Sequence, residues 1–140
     1  MLRNEPQLGD LSMDGDRWHF ARPVSVVSDP YLLDHLVEGT PVFPAAYHMA
    51  LMTQAARRAR PELTVVGLRG VQFVQPARLR GQQSLDFRVD AQMRPDATGV
   101  VEVCISSRAP PPRSGFPPID RMHARGEVLM GAAHASTARF

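Results

Sequence analysis

The segment DHLVEGTPVFPAAYHMALMTQ, residues 34 to 54, holds the residue types and spacing most suited to chemistry: His35, then Gly39, then Pro44. An imidazole titrating near its ordinary pKa of about 6.5 is well matched to taking a proton at neutral pH. A glycine lets the backbone approach a bound group closely. A proline in the first turn of a helix loses no needed hydrogen bond and sets where that helix, with its free N–H donors, begins. The same three residues are also ordinary turn chemistry before a helix. Residue types alone leave both readings open.

Other chemistries find less support. The single cysteine, Cys104, cannot form an internal disulfide. It lies in the β-branched run GVVEVCISS, which reads as a buried structural thiol at a core-facing strand position. The histidines at 19, 35, 48, 123 and 134 are dispersed, with no Cys or His pair at ligand spacing, so no metal site is expected. All 16 basic residues are arginine, set against 14 acids for a net charge of +2. They are scattered, without an aromatic-interleaved stripe, which argues against nucleic acid as a partner. A modest basic bias still suits an anionic carrier.

The elements that must position His35 can be read from periodicity. Residues 1 to 16 read as a loose leader. RWHFARPVSVV is strand-like from Trp18 to Val27, with Pro23 marking an edge or a bulge. SDP breaks it, and YLLDHLVEG is a short apolar turn or distorted helix that delivers His35 into a loop. PAAYHMALMTQAARRAR is glycine-free, with arginines at 57, 58 and 60 opposing the negative end of a helix dipole and Pro61 closing it. Positions 46, 49, 50, 53 and 56 form one small and apolar stripe, broadened by Leu51 and Met52, as in a helix buried on more than one side.

The period then changes to strands. LTVVGLRGVQFVQPARL has apolar positions from 64 to 74, interrupted by Gly67 and Gly70. QSLDFRVDAQM alternates, with Leu85, Phe87 and Val89 on one face, and pairs as a hairpin with VVEVCISSR across the turn RPDATG. APPPRSGFPPID cannot hold a ladder and reads as an exposed loop before a final strand, RMHARGEVLMG. The tail from 132 to 140 carries weak signals. One long apolar helix with an antiparallel sheet is an α+β layout in which the sheet wraps the helix, within one domain. No apolar run approaches the roughly 18 residues of a membrane span, and the N-terminus lacks a secretory apolar segment, so a cytoplasmic protein is expected.

At YLLDHLVEGTPVFPAAYHMAL the chain resembles the N-terminal hot-dog unit of polyketide synthase dehydratase domains, whose signature is H-x-x-x-G-x-x-x-x-P. His35, Gly39 and Pro44 fill the fixed positions, flanked by Asp34, Val37 and a small-small-aromatic run. GLRGVQFVQPARLRG is similar to that family's strand after the central helix, and the likeness extends over residues 17 to 131. The resemblance implies a single hot-dog domain there. It implies His35 as the base that removes the proton α to a thioester carbonyl, on a β-hydroxyacyl group carried by the phosphopantetheine of an acyl carrier protein, with no cofactor of the enzyme's own. It also implies a pocket shaped by Gly39, Pro44 and Ala45, with Tyr47 and Gln54 contributing.

The family departs from this chain at one telling position. Its acid lies on the central helix of a second hot dog, in a D-x-x-x-Q or D-x-x-x-H pattern. Here Gln54 fits the distal place, but Ala50 stands where the carboxylate should be, and Ala45 replaces a glycine. Asp34, Glu38 and His48 are weak stand-ins. The resemblance therefore predicts a dehydratase-like subunit, a homodimer or preferably a heterodimer with a paralogous hot-dog subunit that supplies the acid. An enoyl isomerase or epimerase using His35 alone, or a non-catalytic acyl-binding partner, are the alternatives. A thioesterase is disfavoured by the missing carboxylate.

Overall fold

The computed structural model describes residues 7–79, 84–109, 114–117 and 119–132. Six strands form one antiparallel sheet in the order β1-β2-β6-β7-β8-β5. These are β1 (Asp10–Asp14), β2 (Arg17–Val24), β5 (Leu63–Phe73), β6 (Leu85–Arg94), β7 (Ala97–Ala109) and β8 (Ile119–Ala132). A small hairpin, β3 (Leu36–Val37) with β4 (Thr40–Pro41), precedes α1 (Ala45–Ala59), the single α-helix among the described residues. The sheet curls around α1, as expected. That helix is too short to cross a membrane, and no described helix is long and apolar enough to do so.

The core is where sheet and helix faces meet. Phe20 and Val24 of β2, Phe87 and Val89 of β6, and Val101, Val103 and Ile105 of β7 are buried against Leu51, Met52, Ala55 and Ala56 of α1. The buried helix positions are 48, 51, 52, 55, 56 and 59, one face at helical spacing. The stripe read from the sequence is rotated from this: Ala46 is exposed, and Met49, Ala50 and Thr53 are only half-buried. Small size alone marked those positions. The larger Leu51 and Met52 have more apolar area to remove from water, and they set the face.

Three local corrections follow. Residues 10–14, assigned above to a leader, form β1, paired with β2 from Asp10↔Ala21 to Asp14↔Arg17. Leu11 and Met13 alternate with Asp10, Ser12 and Asp14, but every β1 side chain is exposed, so main-chain bonds to β2 hold the strand. Gly9 runs so close to β2 that a Cβ there would lie 1.8 Å from the Ala21 carbonyl oxygen. Cys104 is not core-facing. Strand parity turns residues 101, 103 and 105 inward, so the thiol is half-buried on the opposite face, opposite Asp90 and Arg125. Pro23 sits within β2 beyond Ala21, where β1 has ended, so the missing N–H breaks no ladder on that side. The tail from 133 to 140 and much of the proline-rich loop lie outside the described residues.

β5 is a sheet edge. Its pairing to β8 carries irregularities between Val65 and Gly67 and between Arg69 and Gln72, with Gly70 at φ 63° in the second. Bulges at an edge deflect the strand and interrupt the row of unpaired groups.

Candidate active site

His35 closes a short 3-10 turn, Pro30–Asp34, and its backbone is tied on both sides. Its N–H donates to the Leu32 carbonyl at 3.0 Å, and its own carbonyl accepts from the Val42 N–H at 3.0 Å. The imidazole itself is exposed. The turn is anchored one residue before its start by Asp29, of which 1% remains accessible. Arg22 grips that carboxylate through both terminal nitrogens, at 2.5 and 3.1 Å. The Tyr31 hydroxyl donates to it at 2.7 Å, the Ser28 hydroxyl at 2.8 Å and the Ser25 N–H at 3.3 Å. Burial pushes the Asp29 pKa up, but the hydrogen bonds from Arg22, Tyr31 and Ser28 outweigh it and hold the carboxyl below its ordinary value.

Tyr31 passes this order on to the helix. Its ring packs edge-on against Tyr47 at 4.7 Å, and the Tyr47 ring lies 6.4 Å from that of His35. Tyr47 is therefore half-buried beside the histidine, as the sequence places it. Neither Asp29 nor Arg22 was flagged from sequence: Asp29 reads there only as the middle of a strand-breaking SDP, and nothing local marks a bidentate partner seven residues upstream.

Gly39 has a specific backbone task. Val37 and Thr40 are paired, so Glu38 and Gly39 are the two loop residues of the β3–β4 hairpin, at φ 52° and 79°. Both lie in the left-handed region, the conformation of a type I′ turn, which strongly favours glycine at the second position. A Cβ on Gly39 would meet nothing within 4 Å, so conformation, not crowding, requires the glycine. Asp34 and Glu38 flank His35 in sequence but are exposed.

Pro44 is buried and stands one position before the helix, as its N-cap, at φ −68° and ψ 150°. Its carbonyl accepts from the N–H groups of Tyr47 and His48 at 3.0 and 3.2 Å. Among the described residues no side chain caps this end, and the amides of Ala45 and Ala46, both exposed residues, lie at the positive pole of the helix, where the helix itself supplies no acceptor. The segment is held beside residues 77–79, which follow β5: Phe43 N–H donates to the Ala77 carbonyl at 2.9 Å and Leu79 N–H to the Pro41 carbonyl at 2.9 Å.

Gln54 is placed differently from Tyr47. It lies about 10 Å further along the helix axis, and its Oε1 accepts the Leu8 N–H at 3.1 Å, fastening the chain that leads into β1. Ala50 is half-buried and offers only a methyl group. His48 is buried, with a pKa driven down to about 3 by desolvation and by the nearby His123, so it stays neutral at physiological pH and cannot replace the missing acid as an imidazolium. Among the described residues no cluster of His, Cys, Asp and Glu side chains could hold a metal ion.

Comparison with known proteins bears on the family and the fold. A highly reducing polyketide synthase of Metarhizium anisopliae is 28% identical over 110 residues, covering 64% of this chain and 4% of that protein. Among solved structures, the bifunctional dehydratase-cyclase domain from ambruticin biosynthesis is 25% identical with a TM-score of 0.69, covering 95% of this chain and 46% of that one. A trans-AT polyketide synthase dehydratase domain from Brevibacillus brevis is 15% identical with a TM-score of 0.74, covering 93% of this chain and 44% of that one. The dehydratase domain from the CurF module of curacin polyketide synthase is 17% identical with a TM-score of 0.73, covering 91% and 45%. The chain thus spans less than half of each solved domain. Its sheet wrapped around one helix is the hot-dog fold of those dehydratase structures. Residues 6–108, which include β1, the His35 turn, α1 and most of β7, match the model of the polyketide synthase dehydratase domain, and the chain belongs to that family.

Proposed function

We propose that this chain is the base-bearing half of a dehydratase that removes water from a β-hydroxyacyl thioester in polyketide biosynthesis. The observation that carries the reading is the placement of His35: an exposed imidazole on a backbone fixed by the Asp29 hub, beside Tyr47 and the open start of α1. His35 takes the proton from the carbon α to the thioester carbonyl, and the electron pair moves onto the carbonyl oxygen. The uncapped amides of Ala45 and Ala46 are donors suited to the enolate that develops. The pair then returns to form the α,β double bond, and the β-hydroxyl leaves with a proton from an acid, giving an enoyl thioester and water.

That acid comes from a second hot-dog unit, because position 50 is alanine and His48 is neutral. The surface beside the site suits such a partner. Leu33, Leu36 and Val37 are more than half exposed around His35, and Val66, Phe73 and Val74 are at least half exposed on and just after the edge strand β5. Such a cluster stays out of water only when another unit covers it. The substrate arrives on the phosphopantetheine of an acyl carrier protein, and the chain needs no cofactor. Ala50 also favours a second reading, in which His35 alone shuttles a proton to shift an enoyl double bond or epimerise the α carbon.

The test is a β-hydroxyacyl carrier protein given to the chain with a hot-dog unit that carries the helix carboxylate. Enoyl product is expected from the pair and not from either unit alone. Elimination by the pair that persists in His35→Ala removes the base assignment. Double-bond migration by the chain alone, without elimination by the pair, establishes the second reading.

A further inference from the structure

Beside the start of α1 lies a pocket of about 180 Å³, lined by Phe43, Ala45, His48, Phe73, Val74 and His123 among others. Ala45 adjoins the His35 site as well, and the Phe43 ring meets Tyr47 at 5.8 Å and His48 at 4.8 Å. The pocket lies against the end of the edge strand, where Phe73 and Val74 are each 50% exposed, so a second hot-dog unit covering that edge would deepen it. Its walls are mostly apolar and aromatic. The two histidines differ in a way that points to a ligand.

His123 is fully engaged. Its Nδ1–H donates to the Gln75 carbonyl at 3.0 Å, and its Nε2 accepts from the Ser107 hydroxyl at 2.6 Å. His48 stacks on Phe87 and His123, and its Nδ1 is buried without a hydrogen-bond partner. Leaving such an atom unsatisfied costs about 1–3 kcal/mol, and a bound group explains its persistence. Both rings are held neutral by burial, so a carboxylate or ammonium group gains no ion pair here and loses its hydration. A hydroxyl fits either tautomer of His48, since it can donate to a bare Nδ1 or accept from Nδ1–H. A volume of about six waters admits a short aliphatic segment along with it.

We propose that this pocket binds the distal part of the acyl chain and that His48 reads a hydroxyl on it, several carbons beyond the reacting centre. This inference rests on the reading of His35 as the base of an acyl-thioester dehydratase. It makes His48 a specificity residue, separate from the chemistry.

The test compares the pantetheine thioesters of hexanoic and 5-hydroxyhexanoic acid, titrated calorimetrically into the full chain, with the His48 imidazole nitrogen resonances followed in parallel. The hydroxylated thioester is expected to bind about tenfold tighter and to shift the His48 Nδ1 signal, while the hexanoyl compound leaves that signal in place. His48→Phe should equalise the two affinities, and His48→Gln, which keeps a hydrogen-bonding group, should retain part of the preference. Equal affinities in the unsubstituted chain, or binding that leaves His48 unshifted, overturn the proposal without requiring any variant to fold. His35→Ala separates the two readings: it should leave the hydroxyl preference of the chain intact, and should abolish turnover of a β-hydroxyacyl carrier protein when the chain is paired with a hot-dog unit that carries the helix carboxylate. Turnover that survives it removes the base assignment, whereas a lost preference removes His48's role.

Discussion

His35 and His48 lie thirteen residues apart, on either side of the Phe43–Pro44 junction, and their surroundings assign them opposite work. His35 is exposed at the end of a turn whose backbone is tied to Leu32 and Val42. His48 is buried on the inner face of α1 between Phe43, Phe87 and His123, with its pKa near 3. A ring open to solvent can gain and lose a proton during a reaction. A ring whose protonation would bury an uncompensated charge cannot. The lesson is that proximity to the helix start does not decide what a histidine can do: burial bars His48 from carrying a charge, whereas the proposed base is exposed on a backbone tied at both sides.

The comparison is broken most severely by His35→Ala. Loss of a positioned general base lowers kcat by on the order of 10²–10⁴-fold, and circular dichroism should show the fold unchanged, because the side chain is exposed. The next largest effect is on the support beneath it. Asp29→Ala strands the Arg22 guanidinium and unties Tyr31 and the Ser25–Ser28 turn, so chemical denaturation should show a loss of about 3–5 kcal/mol.

Acid sharpens the contrast. The folded pKa of His48 is below its unfolded value, so the unfolded chain binds more protons between about pH 6.5 and 3. The stability is complete above that window and falls through it by up to about 1.4 kcal/mol per pH unit. His123, depressed in the same direction, adds to the slope. Asp29 acts at the acid end of the same range: its folded pKa is lowered, so its contribution is present above its unfolded value of 3.8 and is lost as pH falls below it. Midpoints of urea denaturation from pH 7.5 to 4 should show His48→Phe flattening the curve. Smaller again is Gly39→Ala, which forces a left-handed alanine into the hairpin at a cost of roughly 1–2 kcal/mol. Gln54→Ala removes one bond to Leu8 and should cost about 1 kcal/mol, with amide exchange accelerated at Leu8 and along β1.

Much of this arrangement was legible in the amino-acid order. The helix starting after Pro44, the alternation of Leu85, Phe87 and Val89, and the spacing of His35, Gly39 and Pro44 are local patterns with local physical causes. What escaped depends on contacts between distant residues. β1 is held by its main-chain pairing to β2, and its one sequence signal, the alternation of Leu11 and Met13, is too short to mark a strand and faces no core. The burial of Asp29 follows from Arg22 and Tyr31 converging on it. Gln54 reads as a pocket residue from its motif position, yet its carbonyl oxygen holds Leu8, 46 residues away. Cys104 was misplaced by one step of strand parity, which reverses a side chain's face.

The central claim is that His35 alone removes the α proton while the acid resides elsewhere, and hydrogen exchange at that carbon tests it most directly. A β-hydroxyacyl carrier protein incubated with this chain in deuterated water should take up deuterium at the α carbon. His48→Phe should retain that exchange, and His35→Ala should reduce it to the uncatalysed rate. Exchange that persists undiminished in His35→Ala would contradict the account.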